Sequence, residues 1–328
     1  MNLTLFLFYL HASIAVAQVI TIEIGDVRIP AKESAASMQF AAAATQATNA
    51  SIGIVFQQAF DILSESCDLS HYPFRLEYAV KDIGEGVLAS ASASFKLDWH
   101  RECWLPLALT KLEESETAAV SININSRLLH VSHWDTDGNC SAPHKYDLLT
   151  IILHELVHGL AAYDSFNITD VVSAVGWNEQ GQECDKCKNT RCWPTCFDLN
   201  IVNETGCRIV DACNVNPWQS LYVRGTKLYR QTVKNAWDIG IGLSHVADSQ
   251  SLMYPQSSKG RCLHGLDASS VNIINTVSDE KICRMTYPRE SKYKYSGLLF
   301  NVKAAAGPRG VDVTLLLLPL LLTLLLMS

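Results

Sequence analysis

The sequence predicts an α+β fold in which a twisted N-terminal sheet with helices is followed by a smaller, irregular C-terminal lobe. Residues 73–80 and 86–99 alternate between apolar and polar side chains, as half-buried strands do. Residues 147–163 form a strongly apolar stretch of helical length. Residues 178–216 lack periodicity and hold six of the eleven cysteines, which is typical of an insertion held by disulfides.

The N-terminal elements follow from local periodicity. Residues 18–24, "QVITIEI", have a strand pattern, and the alanine-rich segment 33–67 has apolar positions at the spacing of one or two helices. After the two alternating strand segments, residues 104–114, "WLPLALTKLEE", are predicted to be helical. Residues 118–126, "AAVSININS", alternate again and predict a further strand.

The second half of the chain begins with the apolar helix. Asp147 is suited to be its N-cap, because a carboxylate can accept the unpaired N–H groups of the first turn. Beyond the cysteine-rich insertion, residues 218–239 return to helical spacing. Residues 240–255, "GIGLSHVADSQSLMYP", are rich in glycine, serine and aspartate and predict loop and turn.

Both ends of the chain carry targeting patterns. The apolar stretch that ends before "AVA" predicts a signal peptide over residues 1–17. Small residues, a short polar spacer and a terminal apolar tail predict a removable glycosylphosphatidylinositol (GPI) anchor signal over residues 304–328. Disulfides persist outside the cell, so the cysteines agree with this route, although their odd number leaves one without an intramolecular partner. The expected location is the extracellular cell surface, with the membrane contacted through the lipid.

Charge and composition limit the classes of binding partner that the sequence predicts. The chain has 328 residues, of which 48% are hydrophobic, enough for one domain with a sizeable core. Its formal net charge is −7, and lysine and arginine form no run along it. Because phosphate backbones are bound by basic stripes, nucleic acid is excluded as an expected partner.

The apolar helix contains the sequence His154-Glu155-Leu-Val-His158. Histidines four residues apart project from one face of a helix and can bind one metal ion. A glutamate beside them can act as general base on a water at that ion, and zinc lowers the pKa of such a water to about 7. The pattern therefore predicts one catalytic zinc ion held by His154 and His158, with Glu155 as catalytic base.

Three residues are candidates for the third ligand. Asp164 follows the helix at a spacing that some zinc sites use, but the turn needed there favours a glycine where this chain has Ala161. Glu179 lies at a distance typical of sites whose glutamate comes from a second helix, although its surroundings are poor in helix formers. His245 lies far along the chain, eight residues before Met253.

The helix motif together with His245 and the Met253-Tyr254-Pro turn resembles the metzincin zinc metalloproteases. The long insertion before the last histidine is similar to that of the leishmanolysin-like proteases, and residues 104–160 resemble secreted bacterial metalloproteases with a His-Glu-x-x-His helix. The resemblance implies a metzincin-like zincin fold over residues 18–303, with His245 as third ligand and Met253 beneath the zinc. It also implies that Tyr254 can support the transition state and that residues 118–125 form the substrate rim.

The expected function is that of a cell-surface zinc-dependent endopeptidase acting on peptides or proteins. Two alternatives follow from the same residues. A surface adhesion or binding protein could keep the zinc without cleaving, and a gluzincin-type peptidase could use Glu179 as its third ligand.

Overall fold

The structure, a computed structural model, describes twelve stretches of the chain: residues 20–24, 40–41, 47–72, 75–111, 118–126, 134–135, 142–164, 166–168, 172–185, 191–211, 219–229 and 243–286. Within them the protein is mixed α+β, as the sequence predicts, with fifteen strands and three α-helices. The predicted signal and anchor segments, residues 1–17 and 304–328, lie outside the described residues.

Most of the strands are short. Their bounds are β1 Ile20–Ile24, β2 Phe40–Ala41, β3 Leu76–Lys81, β4 Ala89–Ala93, β5 Phe95–Asp98, β6 Cys103–Pro106, β7 Val120–Asn125, β8 Trp134–Asp135, β9 Tyr146–Asp147, β10 Phe166–Ile168, β11 Val172–Trp177, β12 Glu183–Asp185, β13 Ile201–Asn203, β14 Leu221–Val223 and β15 Thr226–Lys227. The helices are α1 Ala47–Ser66, α2 Leu148–Leu160 and α3 Ala268–Val277, with single 3-10 turns at Leu107–Leu109, Asp198–Asn200 and Ile209–Asp211.

A five-stranded sheet dominates the N-terminal half. Its order is β2-β1-β3-β7-β4, with β3 and β7 parallel and β4 antiparallel to β7 at the edge. Helix α2 packs against β4, β7 and α1, so apolar side chains from all four elements share one core. The smaller sheets β10-β11-β12 and β13-β14-β15 belong to the C-terminal half, which is less regular, as the sequence predicts.

Helix α2 forms as its sequence predicts. The Asp147 side chain accepts a hydrogen bond from the Thr150 N–H at 2.7 Å, which caps the N-terminus. Eleven of the thirteen helix residues are buried, because apolar residues occupy most of its circumference. The helix therefore lies deep in the core and holds its polar residues in fixed positions.

Gly159 lets α2 approach the sheet closely. A Cβ atom at this position would lie 2.3 Å from a methyl group of Val120 in β7. We expect Gly159→Ala to lower the free energy of unfolding by about 1–3 kcal/mol, because overpacking outweighs the better helix propensity of alanine. Thermal or urea unfolding measures this change.

Gly53 in α1 provides the matched control for that substitution. A Cβ there meets only the Tyr78 hydroxyl at 3.7 Å, an ordinary contact. Gly53→Ala should leave the unfolding free energy unchanged or raise it by up to about 1 kcal/mol. Equal effects of the two substitutions would contradict the close approach of α2 to β7.

Disulfides connect distant parts of the chain. Cys67 at the end of α1 is bonded to Cys283 beyond α3, and Cys103 in β6 is bonded to Cys196. Cys184 is bonded to Cys192 within the cysteine-rich insertion. These bonds fit an extracellular protein. Among the described residues, Cys207 is a free and exposed cysteine.

Membrane contact was expected only through the predicted lipid. None of the helices in the described ranges combines the length and apolar character needed to cross a bilayer.

Two predicted helices are wrong over the residues that the structure describes, 104–111 and 219–229. The first part of segment 104–114 forms β6 and a single 3-10 turn, because β6 pairs with β5 and the disulfide of Cys103 fixes it there. A short apolar run fits a buried strand as well as a helix. In segment 218–239, the described residues include the β14–β15 hairpin around Arg224 and Gly225, both with positive φ. Two central residues with positive φ are typical of a tight hairpin turn.

Candidate metal centre

Three histidine side chains converge at helix α2. His154 and His158 project from α2, and His245 comes from the loop before Met253. The Nε2 atom of His158 lies 3.0 Å from Nε2 of His154 and 3.2 Å from Nε2 of His245. The structure therefore brings together the two helix histidines and one of the three candidates for the third ligand, and this cluster could hold a metal ion.

Hydrogen bonds set the tautomers of the two helix histidines. Nδ1 of His154 lies 2.7 Å from the Leu252 carbonyl oxygen, and Nδ1 of His158 lies 2.7 Å from the Ala162 carbonyl oxygen. A carbonyl oxygen only accepts, so both Nδ1 atoms must donate. In the neutral ring, Nε2 then carries a lone pair, and the lone pairs of His154 and His158 point into the space that a metal ion would occupy.

Both rings stay neutral at physiological pH. Burial lowers the pKa of His154 from 6.5 to about 3 and that of His158 from 6.5 to about 4. Burial disfavours the charged form of either ring, and for His154 the neighbouring His158 adds to the shift. Neutral imidazole is the form that binds metals, so both rings are in the form that a metal site requires.

Met253 and Tyr254 follow the cluster in a tight turn. Met253 is fully buried, and its carbonyl oxygen accepts a hydrogen bond from the Val246 N–H at 2.9 Å. The turn is thus tied to the residue after His245. The ring of Tyr254 meets that of Tyr229 edge-on, with centroids 5.4 Å apart, and lies beneath the Arg261 guanidinium. Tyr254 is therefore held by packing on two sides.

The other two ligand candidates lie elsewhere. The Asp164 carboxylate accepts a hydrogen bond from the Ser244 N–H at 2.8 Å, so it holds the residue before His245 and is not part of the cluster. Glu179 is exposed in the turn between β11 and β12, not on a helix. Ala161 ends α2 with a φ of −154°, so the chain leaves the helix without the left-handed angle that would favour glycine.

The sequence reasoning missed one supporting residue, Asp267. Its carboxylate accepts a hydrogen bond from the Leu252 N–H at 2.9 Å and another from the Ser270 N–H at 2.8 Å, which caps α3. The Leu252 carbonyl accepts from His154, so Asp267 holds the N–H of the same residue whose carbonyl orients this ring. The N-cap pattern before α3 is visible in the sequence, but its contact with Leu252 requires the fold.

We expect Asp267→Ser to weaken metal binding about 10- to 100-fold, the usual cost of losing support behind a histidine ligand. Serine can still cap α3, but it is too short to reach the Leu252 N–H as well. Competition with a fluorescent chelator measures the affinity. Asp248→Ser is the matched control, because the Asp248 carboxylate accepts from the nearby Gln250 N–H in an exposed turn. Equal affinities of the two variants would rule out the supporting role.

Glu155 lies between the two helix histidines and faces the edge of the main sheet. It is 7% exposed, and burial raises the pKa of its carboxyl from 4.5 to about 8, partly offset by a hydrogen bond from the Ala91 N–H. A buried carboxyl of this kind can hold or release a proton near neutral pH. Its bond to Ala91 places it directly at strand β4.

Strand β4, not β7, is the sheet edge beside Glu155. The implied rim at residues 118–125 is wrong, because β7 lies between β3 and β4 inside the sheet. Leu88 and Ser94, which flank β4, hydrogen-bond to the β7 segment. Main-chain groups alternate in direction along an antiparallel strand, so the odd-numbered residues of Ala89–Ala93 direct theirs away from β7. In the described part of the chain, no strand pairs with this edge.

No family model, curated protein or solved structure matches this chain. The likeness to metzincins therefore depends on the motif, the turn and the site geometry alone. The observations that carry a functional assignment are the three converging nitrogen atoms, the buried carboxyl beside them and the adjacent sheet edge.

A second group of metal-binding residue types has a structural role. Asp147, Cys262 and His264 lie close together, but Cys262 is in a disulfide and has no thiolate to offer. His264 Nε2 lies 2.9 Å from the Asp147 carboxylate, which also accepts from both the N–H and the hydroxyl of Thr150. This network joins the N-terminus of α2 to the segment that precedes α3.

Proposed function

We propose that this protein is a zinc-dependent endopeptidase of the metzincin type, with His154, His158 and His245 as zinc ligands and Glu155 as general base. The observation that carries the proposal is the convergence of three Nε2 atoms beside a buried glutamate at a sheet edge. Each of these parts has a defined use in peptide hydrolysis.

The spacing of the three nitrogens supports zinc as the metal. Tetrahedral zinc with Zn–N bonds of 2.0–2.1 Å requires ligand nitrogens about 3.3 Å apart. The observed separations of 3.0 and 3.2 Å from His158 are close to this value. Three imidazole ligands would leave a fourth position for water or substrate, which is the ligand set of a catalytic zinc. When bound, zinc acidifies that water and polarises the peptide carbonyl.

Glu155 is suited to move the proton. A cation beside the carboxyl favours its ionised form, which opposes the rise in pKa caused by burial. The carboxylate can then accept a proton from the attacking water and donate it to the leaving nitrogen. Tyr254 is our candidate for an additional donor to the developing oxyanion, because it follows the turn at Met253 and its ring is held in place.

The outward edge of β4 is proposed to bind the substrate backbone. Ala89 and Ala93 direct N–H and C=O groups away from β7, on either side of the residue that faces Glu155. An extended peptide added there forms main-chain hydrogen bonds that are independent of its sequence. The small side chains of Ala89 and Ala93 leave room for such a strand.

The disulfides fit an extracellular protein. We propose that the signal and anchor segments, residues 1–17 and 304–328, carry it through the secretory pathway to a lipid anchor at the cell surface. Protein or peptide substrates at that surface are the proposed targets.

Metal removal and restoration test the proposal. The protein, purified from a secretory host, should cleave a mixture of unstructured peptides, lose this activity with a chelator and regain it with zinc but not with calcium. Nitrogen ligands favour zinc, whereas calcium requires oxygen ligands. Mass spectrometry of the products identifies the bonds cut. Full zinc occupancy without cleavage of any peptide would instead favour the alternative of a surface binding protein.

A further inference from the structure

Three partly exposed aromatic side chains, Phe95, Tyr163 and Trp177, form a group that the proposed mechanism does not use. The ring of Phe95 meets that of Tyr163 edge-on with centroids 5.1 Å apart, and it stacks on that of Trp177 at 6.2 Å. We refer to these residues as the aromatic cluster. They come from β5, the segment after α2 and the end of β11.

The aromatic cluster adjoins the C-terminal ends of both α2 and the edge strand β4. Tyr163 directly follows Ala162, whose carbonyl oxygen lies 2.7 Å from Nδ1 of His158. Phe95 follows β4 with only Ser94 between them. A peptide that extends along β4 past Ala93 therefore reaches the aromatic cluster next.

The cysteine-rich insertion holds the aromatic cluster from behind. Trp177 and Trp193 exchange main-chain hydrogen bonds of 3.0 and 3.1 Å, and the Thr195 hydroxyl donates to the Tyr163 carbonyl at 3.0 Å. The next residue, Cys196, is bonded to Cys103 in the β5–β6 hairpin. These three connections fix the main chain beneath the rings, and the ring contacts restrict the side chains, so little side-chain entropy remains to be lost when a ligand binds.

We propose that the aromatic cluster is a subsite for an aromatic or large apolar side chain of the substrate, about three or four residues before the scissile bond. This inference rests on the proposed peptidase function. An antiparallel peptide, the more stable pairing, has its N-terminal part at the Phe95 end of β4. Glu155 faces Ala91 and marks the position of the reaction. From Ala91 to Phe95 the strand advances about 14 Å, or four residues.

A positional scan tests this subsite. Short peptides of equal length carry a single phenylalanine at successive positions in an alanine and lysine background, and mass spectrometry identifies the bond cut in each. We expect the cut to move with the phenylalanine, about three or four residues on its C-terminal side. In Phe95→Ala, the preference in kcat/KM for phenylalanine-containing over phenylalanine-free peptides should fall about tenfold. A cut that ignores the phenylalanine, or lies on its N-terminal side, overturns the proposal.

Trp99→Ala is the matched control for this substitution. Trp99 is a 60% exposed aromatic residue of the same hairpin, and its ring packs on Trp193 outside the aromatic cluster. The Trp99→Ala variant should keep the wild-type preference in kcat/KM for phenylalanine-containing peptides. If Phe95→Ala only loosened the hairpin, it would slow all peptides equally and leave their ratio unchanged, which would also contradict the subsite.

Binding to full-length Glu155→Gln separates the subsite from the proposed activity. Fluorescence anisotropy of the same labelled peptides measures affinity without turnover, and we expect about tenfold tighter binding when phenylalanine occupies the subsite position. Phenylalanine-dependent binding by a protein whose wild type cleaves nothing would refute the peptidase but keep the subsite. Cleavage by wild type without any dependence on phenylalanine would keep the peptidase and refute the subsite.

Discussion

Glu155→Gln should lower peptide hydrolysis by about 10²- to 10⁴-fold while the zinc content stays at the wild-type level. Glutamine has nearly the same shape and can still accept from the Ala91 N–H, but it cannot take a proton from water. The fold should remain intact, because the substitution replaces a buried ionisable group by a neutral one. Peptide turnover and metal analysis on the same sample measure both quantities.

Glu179→Gln is the matched control for that variant. Glu179 is exposed in the turn between β11 and β12, and the same chemical change there should leave both turnover and zinc content unaltered. Loss of zinc in Glu179→Gln would instead support the gluzincin alternative. Full activity in Glu155→Gln would show that Glu155 is not the general base.

His245→Ala should abolish stable zinc binding, with affinity lowered by more than about 100-fold, and turnover should disappear with it. His245 is the only one of the three clustered histidines that α2 does not supply, and it is 6% exposed. A ligand that binds only the native state stabilises it by an amount that rises with the logarithm of its affinity, so added zinc should raise the melting temperature of wild type but not of this variant. Metal analysis and thermal unfolding with and without zinc measure the effects.

His144→Ala controls for general effects of removing a histidine. His144 is exposed in the turn that precedes α2 and is not part of either cluster. Its replacement should leave zinc content and the zinc-induced shift in melting temperature at wild-type values. Retention of zinc by His245→Ala would show that a different residue completes the site.

The sequence predicted those parts of the centre that depend on one element. His154, Glu155 and His158 lie within five residues of a helix, so the period of the helix alone places both rings on one face. The cap at Asp147 follows from local chemistry in the same way. The role of His245 was predicted only from the resemblance to metzincins, because no local rule brings a loop residue from the far half of the chain to α2.

Other parts of the site depend on tertiary contacts that leave no sequence pattern. The carbonyl oxygens of Leu252 and Ala162 orient two ligand rings, and any residue at those positions could supply them. Alternation identified the strands that became β4 and β7, but it does not give strand order, so the edge was assigned to the wrong one. Segment 104–114 illustrates the same limit, since burial on several sides hides the strand period.

The Cys67–Cys283 bond makes most of the described protein a covalent ring. Every peptide bond from Cys67 to Cys283, which includes all of α2 and α3, lies inside this ring, so a single backbone cut there opens it without releasing a fragment. His154 and His245 would stay on one molecule even if a protease cleaved a surface loop between them. A nicked chain should therefore run at full length on a non-reducing gel and separate only after reduction, a form of durability suited to a protein exposed to proteases outside the cell.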